Sequence, residues 1–168
     1  EEQFLNLLKV LDRNPKIRMI FTKANADTNG RIVNELIDKY AAQNSERACA
    51  FMSLGQKRYL SALKYCRIVI GNSSSGIIEA PSFGKPIINI GDRQKGRICA
   101  DSVINCGYTQ QEIQQAMETA LTKEFENKAR NCRNPYEKEN TAANIISVIK
   151  DYLLNDKIKL KKGFYDIK

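Results

Sequence analysis

The sequence predicts an α/β domain, a parallel sheet with helices on both faces. Two observations lead there. Helix-like and strand-like segments alternate along the chain, which in a domain of ordinary size means strands joined by helical crossovers. The strand-like runs are short and largely apolar, as strands buried on both faces are. Right-handed crossovers follow for parallel strands joined in this way.

The elements take the following order. Phe4, Leu5, Leu7, Leu8 and Leu11 recur at helical spacing, and Asn14-Pro15 ends that helix, because a residue before proline avoids the α region. Residues 17–21 read as a strand. A turn-rich loop over 25–30 leads into a helix over 32–42. Residues 48–52 form a short strand, and 56–65 a helix with Tyr59, Leu60 and Leu63 on one side. Arg67-Ile68-Val69-Ile70 is the next strand, followed by Gly71-Asn72-Ser73-Ser74-Ser75-Gly76 and a short helix to about Phe83. Gly84-Lys85-Pro86 turns the chain into the apolar strand 87–90. A polar loop over 91–101 precedes a last strand near 103–105. Thr109 caps a helix, and Glu112 three residues on makes a capping-box pattern. After Asn134-Pro135 comes a final helix over 141–154. There is no internal repeat and no interdomain linker, so residues 1–168 read as a single domain with a basic tail over 157–168.

Composition narrows the chemistry. The apolar share of 42% and charged share of 27% in 168 residues exclude low-complexity disorder for most of the chain. No apolar run approaches the roughly 18 to 20 residues of a membrane helix. Glu1-Glu2-Gln3 does not open a signal peptide, so a cytoplasmic protein with no membrane partner is expected. The absence of histidine removes Ser-His-Asp and Cys-His nucleophilic sites and His-ligated metals. Cys49, Cys66, Cys99, Cys106 and Cys132 are odd in number and lack CxxC spacing, which favours reduced thiols over a zinc site or a disulfide framework. No metal or cofactor is expected. Lys and Arg total 27 against 19 Asp and Glu, a net charge of +8. Half of that surplus lies in residues 157–168, with five lysines and one aspartate, and reads as a solvated tail rather than a nucleic-acid footprint. The remainder suits an anionic ligand.

In sheets of this kind the ligand lies beyond the carboxyl ends of the strands. Four loops qualify: one with Lys23, Asn25, Asp27 and Thr28; one with Ser53, Leu54 and Gly55; residues 71–76; and one with Arg93, Gln94, Lys95 and Arg97. Their hydroxyls, amides, glycines and cations suit a phosphorylated ligand. In the third loop, glycines permit close backbone approach, serines donate and cap, and the head of the next helix favours an anion. It lacks the Gly-Lys-Ser/Thr ending of a P-loop and is not Gly-x-Gly-x-x-Gly. A plain strand-to-helix turn with serine caps remains the alternative. Glu79 falls one turn into the helix, where a carboxylate can accept two hydrogen bonds from a ribose diol or simply offset the helix dipole. The cations of 92–97 either neutralise phosphate or are solvated.

Residues Gly71-Asn72-Ser73-Ser74-Ser75-Gly76-Ile77-Ile78-Glu79-Ala80-Pro81-Ser82-Phe83-Gly84-Lys85-Pro86, then Asn89-Ile90-Gly91-Asp92-Arg93-Gln94-Lys95-Gly96-Arg97, closely resemble the hydrolysing UDP-N-acetylglucosamine 2-epimerases. The likeness extends more loosely to Thr22-Lys23-Ala24-Asn25-Ala26-Asp27, to Asn134-Pro135-Tyr136 and to Lys162-Gly163-Phe164-Tyr165-Asp166-Ile167, the last as in bacterial members. It departs at Glu137-Lys138-Glu139, where the family usually carries glycine.

The resemblance implies the Rossmann-like C-terminal, UDP-binding domain of a two-domain fold of the glycosyltransferase-B (GT-B) type. The first strand and the N-terminal domain, with its acid/base carboxylates, would be absent. It implies an intact parent, expected to be a homo-oligomer, that converts UDP-N-acetylglucosamine to N-acetylmannosamine and UDP for sialic-acid-type sugars. By motif, Asn25, Leu54, Ser73, Ser74 and Glu79 match UDP-contacting positions, and Arg93 a cleft arginine. Leu54 would act through its backbone on uracil, Ser73 and Ser74 on phosphate, and Glu79 on ribose. No catalytic residue is expected in this chain. Asn72-Ser73-Ser74-Ser75 favours the hydrolysing branch over the non-hydrolysing one, which typically has Asp-Ser-Gly-Gly. A non-hydrolysing epimerase and the nucleotide-sugar half of a GT-B glycosyltransferase remain alternatives. With the family's first strand missing, the strands at Ile17 and Arg67 are expected either to recruit a strand from another molecule or, the favoured outcome, to close up and pair directly, giving the order Ala48, Ile17, Arg67, Ile87, Val103.

Overall fold

The computed structural model describes residues 1–24, 30–155 and 157. They divide into two compact units, the first ending at residue 136 and the second beginning at residue 137. The first unit runs α1 (Glu2–Asp12), β1 (Met19–Thr22), α2 (Gly30–Gln43), β2 (Ala48–Phe51), α3 (Gly55–Tyr65), β3 (Val69–Gly71) and α4 (Ser74–Ile78). A 3-10 turn (Ala80–Phe83), β4 (Ile87–Ile90), β5 (Val103–Cys106), α5 (Gln110–Ala120) and α6 (Lys123–Arg130) follow. The second unit holds α7 (Thr141–Leu154), whose apolar residues Ile145, Ile149 and Leu153 are exposed.

All strand pairs are parallel, as expected. They fall into two sheets, β1–β2 and β3–β4–β5. Alternation along the three-stranded sheet sends neighbouring residues to opposite faces. Ile70, Ile88 and Ile104 face α1 and α5; Val69, Ile87 and Val103 face α3 and the 3-10 turn. β4 is therefore buried at every position, and its one polar residue, Asn89, donates to Asn105 Oδ1 across the ladder at 2.8 Å. The β1–β2 sheet is different. Met19 and Ala48 are buried, whereas Ile20 and Phe51 on the other face are exposed. Helices thus cover both faces of β3–β5 but only one face of β1–β2, a correction to the sequence-based expectation.

The expected pairing of the Ile17 and Arg67 strands is also corrected: β1 and β3 share no ladder. The reason lies in α1. Its buried Leu7, Leu8, Val10 and Leu11 join one cluster with Met19 and Ala48 on one side and Ile88, Ile90, Ile113 and Met117 on the other. The helix packs against both α2 and α5. A helix is about 10 Å across, twice the roughly 4.8 Å between paired strands, so closing the two sheets together would displace that packing. The remaining neighbour relations, β2 beside β1 and β3–β4–β5 in order, are as expected.

A polar clasp holds the end of α1. Tyr40 on α2 donates its hydroxyl to Asp12 at 2.8 Å, and Arg47 reaches Asp12 at 3.0 Å, the Tyr40 oxygen at 2.8 Å and the Leu11 carbonyl at 3.1 Å. Burial, then the Asp12 bond and charge, push the Tyr40 phenol up to about 12. A raised phenol pKa favours the folded state below the unfolded value near 10 and loses that advantage as pH rises toward the folded value. Between pH 9 and pH 11.5 the wild-type protein should lose about 2 kcal/mol more stability than Tyr40→Phe. Urea unfolding of both at the two pH values checks this, and parallel losses would contradict it.

Candidate functional site

Parallel register brings the chain out of β3 and β4 at one edge, since Gly71 pairs with Asn89. Gly71 has φ 151, which side-chain-bearing residues rarely adopt, and among the described residues nothing beyond its chain neighbours lies within 4 Å of where a Cβ would stand. The backbone there is open to close approach. Asn72 and Ser73 follow, both exposed. Ser73 caps α4 in extended conformation, its Oγ accepting the Ser75 amide at 3.4 Å. Ser74 opens the helix, half-buried.

The loop after β4 is fastened to this one. Gln94 is buried and donates Nε2 to the Asn72 carbonyl at 2.9 Å. Within the loop, the Lys95 amide returns to Asp92 O at 2.8 Å and the Arg97 amide to Gln94 O at 3.2 Å. Arg93, Lys95 and Arg97 stay exposed, and none is in a salt bridge among the described residues. Three cations therefore lie beside a serine-rich, open backbone, an arrangement that can hold the charge of a phosphate group.

Glu79 lies one turn beyond Ser75, at the end of α4, and is exposed. Its Oε2 accepts from Ser75 Oγ, and Ser75 Oγ in turn meets the hydroxyl of Tyr59 on α3. Burial lifts the Tyr59 phenol above its ordinary value, the Ser75 bond opposes this, and the Glu79 charge adds to it. The same contact brings the start of α3 to the serine loop. Leu54 is the N-cap of α3, five residues before Tyr59, which is about 7.5 Å along a helix. Behind the site, buried Asn134 donates to Ile78 O at 2.8 Å and Ser82 Oγ at 2.7 Å, anchoring the far end of α4.

Leu54, Ser73, Ser74, Glu79 and Arg93 thus belong to three neighbouring segments joined by the Tyr59–Ser75 and Gln94–Asn72 contacts. Asn25 lies outside the described residues. Lys23 is taken up by Asp38 at 2.6 Å, so its charge is matched within the protein. The helix after the serine loop has only five residues, so its dipole is a smaller source of anion affinity than the sequence suggested, and the hydroxyls and cations carry more of it. The sequence places Tyr59 on an apolar helix face, Gln94 among the residues of the fourth loop and Ser75 within the serine run, and assigns none of the three a contact of its own. For Tyr59 the signal was available: a buried tyrosine needs a partner for its hydroxyl. Among the described residues no cluster of side chains could hold a metal ion. No helix there is long and apolar enough to cross a membrane.

Fold and edge together describe an α/β domain of parallel sheets, consistent with a Rossmann-like domain, with a candidate ligand edge at the carboxyl ends of its strands. The chain belongs to the UDP-N-acetylglucosamine 2-epimerase family, whose model matches residues 1–150. It is 46% identical over 125 residues to the GDP/UDP-N,N'-diacetylbacillosamine 2-epimerase (hydrolyzing) of Campylobacter jejuni, covering 74% of this chain and 32% of that protein. It is 38% identical over 148 residues to the polysialic acid biosynthesis protein P7 of Escherichia coli, covering 88% of this chain and 37% of that one. A UDP-N-acetylglucosamine 2-epimerase of Neisseria meningitidis is 32% identical over 120 residues, covering 71% of this chain and 30% of its own length. The chain therefore spans about a third of the length of these relatives. In fold it is similar to the S. aureus MnaA–UDP structure, with TM-score 0.68 and 19% identity, covering 97% of this chain and 44% of that one.

Proposed function

We propose that this chain is the nucleotide-binding, C-terminal half of a UDP-sugar 2-epimerase of the GT-B type. The observation that carries this is the juxtaposition of open backbone at Gly71, the hydroxyls of Ser73 and Ser74, the Glu79 carboxylate and the exposed cations of 93–97. In this reading Ser73 and Ser74 donate to the diphosphate and Arg93 offsets its charge. Glu79 accepts from the ribose diol. The Leu54 backbone meets the uracil, and Asn25 completes the contacts. UDP is the leaving group when a base removes the proton at C2 of the sugar. Donors fixed around its phosphates stabilise the charge that develops as it departs, a large catalytic contribution in such chemistry. The base and acid would come from the other half of a longer enzyme. The Rossmann-like nucleotide-binding domain would be the unit over residues 1–136, followed in the chain by the α7 unit and the basic tail.

Two product outcomes are to be distinguished. The relatives from Campylobacter jejuni and Legionella pneumophila are named as hydrolyzing 2-epimerases of N,N'-diacetylbacillosamine nucleotides, and Asn72-Ser73-Ser74-Ser75 fits the hydrolysing branch; with UDP-N-acetylglucosamine as substrate, free N-acetylmannosamine and UDP would result. The alternative is a non-hydrolysing epimerase of the same family, whose product would be UDP-N-acetylmannosamine. Chromatography of products from the intact enzyme incubated with UDP-N-acetylglucosamine separates the two. The 168-residue chain alone should bind UDP weakly and release no N-acetylmannosamine. Release of that sugar above background by the chain alone would contradict its assignment as a binding half.

A further inference from the structure

We infer that Tyr59 is a positioning residue for nucleotide recognition, acting on Glu79 through the Ser75 hydroxyl. The inference rests on the reading of Glu79 as the ribose acceptor and names the group that aims it. Proton counting carries the first step. A serine hydroxyl has one proton. Ser75 gives that proton to Glu79 Oε2, so the hydroxyl-to-hydroxyl contact must be donated by Tyr59. The relay therefore runs in one direction, from Tyr59 to Ser75 to Glu79.

Its anchor is firm at one end. Tyr59 packs half-buried with Leu63, Ala80 and Ile87, so its ring is held by the core rather than by solvent. Glu79 at the other end is exposed, and an exposed glutamate samples several rotamers unless something fixes it. Ser75 supplies that restraint and occupies one face of Oε2, leaving Oε1 for a ligand diol. An ordinary phenol is already protonated at neutral pH, as a donor must be, and burial shifts Tyr59 further in that direction. The three serines are then not equivalent. Ser73 Oγ accepts from the Ser75 amide and keeps its own proton to donate to a phosphate, whereas the Ser75 side chain is committed to the carboxylate.

The test uses Tyr59→Phe, which removes the proton donor and keeps the ring. UDP and 2′,3′-dideoxyuridine diphosphate are titrated calorimetrically into wild type, Tyr59→Phe, Glu79→Ala and the double variant. Tyr59→Phe should bind UDP about 5-fold to 10-fold more weakly, the effect of one lost hydrogen bond. Its affinity for the dideoxy ligand should equal that of wild type. The double variant should bind UDP no more weakly than Glu79→Ala. Ser75→Ala cuts the same relay one link on and should give the same ligand pattern, which keeps the test open if Tyr59→Phe does not fold. Equal weakening of both ligands would make Tyr59 a structural residue and overturn the inference. So would unchanged UDP affinity in Tyr59→Phe while Glu79→Ala weakens it. Unchanged UDP affinity in Glu79→Ala would overturn the ribose reading itself, and this inference with it.

Discussion

Ile88→Ala should lower the unfolding free energy by about 3 to 5 kcal/mol, the upper part of the range for a buried isoleucine cut to alanine. Ile88 is 0% exposed. It sits in the middle of β4, paired with Ile70 of β3 and Ile104 of β5, and faces the cluster built by α1 and α5. The cost depends on how far the surroundings can collapse into the space left. Here strands on both sides fix the backbone, and helices hold the face above, so little relaxation is open to it. Ile20 provides the control. It is 58% exposed on the uncovered face of β1, and Ile20→Ala should cost under about 1 kcal/mol. Urea denaturation of the three proteins decides the matter. Similar losses for both variants would mean that β4 is not the centre of the core.

Glu79→Ala should weaken UDP binding by roughly 10-fold to 100-fold, with little change in unfolding temperature. The charge-assisted hydrogen bonds to a ribose diol are each worth about 1.5 to 3 kcal/mol. The carboxylate is exposed, and its only hydrogen-bond partner among the described contacts is Ser75, so the fold depends on it little. Calorimetry with UDP, beside a thermal melt, separates the possibilities. Unchanged affinity together with lost stability would make Glu79 a local helix-end acid and remove it from the site.

Much of this architecture was legible before any coordinates, because hydrophobic period and punctuation agree in the sequence. The apolar run at 87–90 became the fully buried β4, and Thr109 with Glu112 became a reciprocal capping box, the Thr109 amide reaching Glu112 at 3.1 Å. The misses have physical causes. Lys123–Arg130 forms α6, yet it offers only Phe125 and Ala129 as apolar positions, so no periodicity marks it. Its signals were electrostatic: a Thr122 cap, acids at Glu124 and Glu126, and bases at Lys128 and Arg130. The separation of β1 from β3 depends on α1 packing between α2 and α5, a tertiary fact that no local pattern encodes. At the candidate site the motif drew attention to Ser73, Ser74 and Glu79 in one stretch of chain. Tyr59 and Gln94 come from other segments, and only folding brings them to that loop.

The central claim is that a nucleoside diphosphate binds at the edge formed by the loops after β2, β3 and β4. The most direct measurement is a titration of the isotope-labelled protein with UDP, followed by backbone amide chemical shifts. The account predicts saturable shifts concentrated in residues 54–55, 71–79 and 91–97, with Glu79→Ala reducing the affinity at every one of them. Saturable shifts confined to another surface, or none at millimolar UDP, would contradict it.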